Sequence, residues 1–132
     1  MRTPQLEARH HAAAIVSQML LICFREMLGG YNRQGKNVAA ILPEILTVMA
    51  IKVNDDLHQP PMSANKIAKA INMPRVSVQR GIAELTAQGV IEQRERGYVA
   101  TDEYMVPRMD APYFRRIVSA IRSAARELES FR

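Results

Sequence analysis

At 132 residues, 48% of them apolar and 23% charged, the chain is long enough to bury a domain core and too apolar to remain disordered. A net charge of +5 favours a polyanionic partner, and a single cysteine excludes a disulfide framework and fits a reducing compartment. There is no zinc-ligand spacing, Gly-rich phosphate loop, nucleophile elbow or pair of carboxylates at a helical spacing in an apolar setting, so no metal, cofactor or catalytic activity is expected.

From Leu6 to Leu28 the pattern is helical. Ala8, Ala12, Ile15, Met19 and Ile22 form one apolar row, and Val16, Leu20, Cys23 and Met27 form a second. Two adjacent rows describe a helix buried over more than half its circumference, so a partner subunit is expected to cover what a small monomer cannot. Cys23 reads as an inert buried thiol, and Met19, Met27 and Met49 as core filling rather than a ligand pocket. The adjacent His10 and His11 point apart on a helix and read as surface residues. Glu7, Arg9 and these histidines precede the apolar run, unlike a signal peptide. The run from Ala12 to Phe24 is shorter than the roughly 20 residues that span a bilayer. The expected location is the cytoplasm, with no membrane partner.

"GGYNRQG" is expected to break the helix. In the next segment Asn37 is a candidate cap, and Ile41, Ile45, Val48, Met49 and Lys52 follow helical spacing. Pro43 either sits in the first turn or kinks the helix, and "HQPP" closes it.

Sharper signals begin at Ser63, a good N-cap, with Met62 placed to staple onto Ile67. Ile67, Ala68 and Ile71 form the inner face of a short helix. Asn72 suits a left-handed C-cap, and Pro74 the first turn of another helix. Val78, Ile82 and Leu85 line that helix's inner row, and Gly89 ends it. Val90-Ile91 and Tyr98-Val99-Ala100-Thr101 read as strands around the polar tip "EQRERG". "DEYMVPRMDAP" reads as a connector whose Asp110 caps a last helix, with Pro112 in its first turn. Phe114, Ile117, Ile121, Ala124, Leu128 and Phe131 repeat by three and four, the seam of packed helices.

Two short helices, a tight turn and a hairpin make a winged helix-turn-helix. Ala68 is small where the second helix crosses, Asn72 takes the turn, and Val78 packs back to fix the interhelical angle. The predicted fold is mainly α with a small β-hairpin, a winged helix-turn-helix flanked by N- and C-terminal dimerisation helices. Residues 1–59 would dimerise and support, 60–105 bind DNA, and 106–132 complete the dimer.

The segment "IAKAINMPRVSVQRGIAELTAQGVIEQRERGYVAT" resembles the winged-helix segment of bacterial transcription regulators. The order of elements around it is most similar to the MarR type. The resemblance implies a homodimeric, sequence-specific regulator of duplex DNA, more in keeping with a repressor than an activator. The side chains fit that role. Arg75 can form a bidentate pair with guanine and Gln79 with adenine. Lys66, Lys69, Ser77 and Arg80 are placed for phosphates, and Arg94 and Arg96 for the backbone or a narrow minor groove. Arg115, Arg116, Arg122 and Arg126 read as the outer face of the last helix, the first two within reach of flanking phosphates.

Other readings stay open. A helical face with four cations also suits a merely solvated surface, and Arg94 and Arg96 also suit a tip bridged to Glu92 and Glu95. A winged helix can serve as a protein-interaction module, or in a plasmid or phage replication or partition protein. A small-molecule effector fits this class, but the sequence names none.

Overall fold

The computed structural model describes residues 3–31 and 37–130. It is mainly helical with one two-stranded hairpin, in the order α1 (Pro4–Gly30), α2 (Val38–Asp56), α3 (Ala64–Ile71), α4 (Arg75–Ala87), β1 (Ile91–Arg94), β2 (Gly97–Ala100), α5 (Asp102–Met109) and α6 (Pro112–Glu129). The chain divides into two units, Met1–Asn32 with Arg108–Arg132, and Arg33–Pro107.

The first unit pairs α1 with α6. Thr3 caps α1, its hydroxyl accepting from the Leu6 N–H at 3.1 Å. The helices run antiparallel, because Gly30 at the end of α1 meets Tyr113 at the start of α6. A Cβ on Gly30 would lie 2.8 Å from the Tyr113 ring, so this glycine lets the ring rest on α1. One turn along, the Arg116 guanidinium donates to Glu26 at 2.8 Å and holds that carboxyl below its ordinary pKa. Of the two apolar rows on α1, the first faces α6: Ile15 is buried, and Ala12, Met19 and Ile22 are half-buried. The second is mostly uncovered. Cys23 is buried and its thiol donates weakly to Met19 Sδ at 3.7 Å, but Val16 and Leu20 are exposed, as are Leu21 and Phe24 beside them.

Phe114, Ile121 and Leu128 are likewise exposed on α6, while Ala124 of the same row is buried. Phe131 lies outside the described residues. At about 100° per residue, the uncovered apolar rows of the antiparallel helices fall on one side of the pair. The other side is a groove of mixed character, where Ile15, Met19 and Ile22 are joined by His11, Gln18, Arg25, Arg116, Ser119 and Ser123.

The second unit is built on α2, which packs against α3, α4 and β2. Asn37 caps α2 by accepting from the Ala40 N–H at 3.0 Å. Pro43 lies inside the helix, and Ile41, Ile45 and Ile51 are buried, while Met49 is 46% exposed and outside the core. Gly81 of α4 crosses close to α2, where a Cβ would lie in ordinary contact with the Glu44 backbone at 3.7 Å. Val78, Ile82 and Leu85 of α4 fill the core with Ile67 of α3 and Val90-Ile91 after α4.

β1 and β2 are antiparallel, in a register running from Ile91↔Ala100 to Arg94↔Gly97. Met62, ahead of α3, adds a one-residue bridge to Tyr98 through two backbone hydrogen bonds of 3.0 and 3.1 Å. Gly97 allows that approach, because a Cβ there would run into the Pro61 carbonyl and lie 2.8 Å from the Met62 nitrogen. The hairpin is tied to the helices at its base. Asp55 of α2 accepts from the Ala100 N–H at 3.0 Å, and the Thr101 hydroxyl donates to the Gly89 carbonyl at 2.6 Å.

Several local expectations are corrected. Gly29 and Gly30 continue α1 rather than break it; residues 32–35 of that stretch lie outside the described residues. The connector after β2 is the helix α5, with Asp102 and Glu103 in its first turn and Met105 buried. Ala111, not Asp110, is the N-cap of α6, with extended backbone (φ −74°, ψ 151°) and no side-chain bond. Pro74 is the N-cap of α4 rather than part of its first turn. The hairpin tip is only Glu95-Arg96, since β1 extends through Arg94.

α1 is also longer than the apolar run from Ala12 to Phe24, which Ser17 and Gln18 interrupt. Across its 27 residues it is long and apolar enough, by length and composition, to cross a membrane.

Candidate nucleic-acid interface

Ser63 starts α3 by accepting from the Lys66 N–H at 3.3 Å. Only Ile67 of this helix is fully buried, which leaves Lys66 and Lys69 exposed on its outer side. The helix stops at Asn72, whose φ of 53° and ψ of 51° are left-handed, a conformation cheap only for Gly, Asn and Asp. The Met73 N–H closes the turn onto the Ala68 carbonyl at 3.1 Å. Pro74 reverses direction with extended backbone, and its carbonyl accepts from the Val78 N–H at 3.2 Å as α4 begins.

α4 is divided by its own periodicity. Val78, Gly81, Ile82 and Leu85 are buried. Opposite them Val76, Gln79, Arg80 and Ala83, at helical positions i, i+3, i+4 and i+7, form an exposed row. Arg75 is exposed at the first residue, on the side of this row that Gln79 shares. Ser77 lies on the other flank, half-buried, in a groove it forms with Arg80 and Glu84 and with Ala39, Ala40, Pro43 and Glu44 of α2.

Thus the two packed helices carry Lys66, Lys69, Arg75 and Arg80 on solvent-facing positions. Among the described residues none of the four forms an ion pair. Their charge is available to an external anion.

The hairpin differs. Arg94 donates to Glu92 across 2.9 Å, with 65% and 49% of the two side chains exposed. Arg96 sits in the two-residue turn beside Glu95, whose φ of 54° is left-handed. Asp55, Glu92, Glu95, Asp102 and Glu103 line a shallow hollow against the hairpin, so this surface is acidic where that of α3 and α4 is basic. Arg94 is therefore partly neutralised, and Arg96 is the freer cation of the hairpin.

Val76 has no place among the residues expected from sequence to contact a ligand, yet it is 59% exposed on the outward row of α4. The signal was present. Val78 points inward, and two residues turn a helix by about 200°, so Val76 must point away from the core. Among the described residues, no group of three or more His, Cys, Asp or Glu side chains is arranged to hold a metal ion. Compared with protein-family models, with curated proteins and with solved structures, the chain gives no match.

Proposed function

We propose that the chain is a sequence-specific duplex DNA-binding protein, a winged helix-turn-helix transcriptional regulator of the MarR type. It acts as a homodimer in the cytoplasm, as a repressor, without a catalytic role. The observation that carries this reading is the surface of α3 and α4, with four exposed, unpaired cations around the planar amide of Gln79. Lys66, Lys69, Ser77 and Arg80 hold phosphates, Arg75 and Gln79 meet base edges, and Arg96, with Arg94 to a lesser degree, reaches the flanking backbone. The left-handed turn at Asn72 and the hairpin after α4 support the fold assignment.

The uncovered apolar side of the α1–α6 pair suits a second copy of the chain. Two such pairs face to face make a four-helix bundle, and a two-fold dimer places two α4 helices on a near-palindromic site. α1 has the length and composition for a membrane span, but the partner packed along it argues against one. α6 carries Arg115, Arg116, Arg122, Arg126, Glu127 and Glu129, side chains that hydrocarbon accommodates poorly.

The test is selection of bound sequences from a random duplex pool. The expected product is an inverted repeat with half-sites about one helical turn apart. An unenriched pool contradicts the reading. A winged helix serving as a protein-interaction module would leave the pool unenriched, whereas a replication or partition protein would enrich one too and is separated by where its site lies.

A further inference from the structure

We propose that Val76 is a specificity-determining residue that reads the 5-methyl group of a thymine in the major groove. The inference rests on the DNA-binding reading above and adds a base preference to it. Val76 is the second residue of α4 and 59% exposed, on the row it shares with Gln79, Arg80 and Ala83. Its neighbours there are polar or small, so no core contact accounts for an apolar side chain at this position. Nor does helix formation, because β-branching restricts χ1 and makes valine a poorer helix former than alanine.

A phosphate offers a branched alkyl group nothing. On the major-groove floor the thymine methyl is the apolar feature that distinguishes one base pair from the other three. Ala83, two turns further along the row, is small enough for the helix axis to come close to that floor. Gln79 lies three residues on, a rise of about 4.5 Å, little more than the 3.4 Å step between base pairs. A helix lying along the groove therefore brings Val76 and Gln79 to adjacent pairs. The preferred half-site contains a thymine at the Val76 position next to the adenine read by Gln79.

The experiment replaces each thymine of the pool-selected duplex, one at a time, by deoxyuridine, which keeps the pairing edge and the O4 acceptor and removes only the methyl. Wild-type protein should lose about fourfold in affinity at one thymine per half-site, the equivalent of one methyl group left unburied. Val76→Ala should bind the thymine duplex at that reduced level and be indifferent to the replacement. Circular dichroism should show it folded, since alanine favours the helix. If a preferred duplex is selected but every deoxyuridine replacement is neutral, or the loss persists in Val76→Ala, the assignment of Val76 is overturned while the DNA-binding reading stands. If the pool gives no preferred duplex, both fall together.

Discussion

Thr47 is fully buried in α2, and its hydroxyl has no hydrogen-bond partner among the described residues. A buried, unsatisfied hydroxyl costs about 1–3 kcal/mol, and valine has nearly the same shape without it. Thr47→Val is therefore expected to stabilise the fold by about 1 kcal/mol, raising the urea midpoint without changing the slope. A lower midpoint would show that the hydroxyl is satisfied in solution. Single residues were legible in the sequence where one side chain acts on its own backbone. Asn37, Ser63 and Asn72 do what their chemistry favours, because a cap or a left-handed turn is decided within a few residues. Asp110 has the side chain of a cap but not the place of one, because its neighbour Ala111 already has the extended backbone of an N-cap, and Pro112 follows directly. Val76 is harder to read, because an apolar residue next to an inward row resembles a core position.

At the scale of elements, the basic surface of α3 and α4 makes a quantitative claim about salt. If Lys66, Lys69 and Arg80 neutralise phosphates, each releases counterions, and removing one flattens the slope of log K against log salt by about one unit. The triple alanine variant should lose about three units of slope and weaken on all duplexes alike. An unchanged slope would remove these residues from the interface. The longer helices, α1, α2, α4 and α6, are readable because their apolar residues recur at steps of three and four over several turns. α5 is not, since only Met105 of its eight residues is buried and Pro107 resembles a breaker. The place of the hairpin is legible, but the length of its first strand is not. Glu92, Gln93 and Arg94 of β1 are all exposed, so the strand lacks the apolar alternation that would have marked it.

For the whole molecule, the uncovered side of the α1–α6 pair leads to an expected dimer at micromolar concentration by sedimentation, with Leu20→Glu and Phe24→Glu together shifting it to monomer. A wild-type monomer would leave Val16, Leu20, Phe24, Phe114, Ile121 and Leu128 without the partner assigned to them. The breadth of the apolar surface on α1 was evident in the sequence, but how much of it α6 covers was not, because that depends on which faces of two distant segments meet. The account turns finally on whether α4 reads sequence. Wild-type protein, Arg75→Ala and Gln79→Ala should be titrated against the selected duplex and a scrambled duplex at one fixed salt concentration. Wild type should prefer the selected duplex by about a thousandfold or more, and each variant should lose about 1–3 kcal/mol on it while binding the scrambled duplex nearly as before. Equal wild-type affinity for the two duplexes would contradict the account.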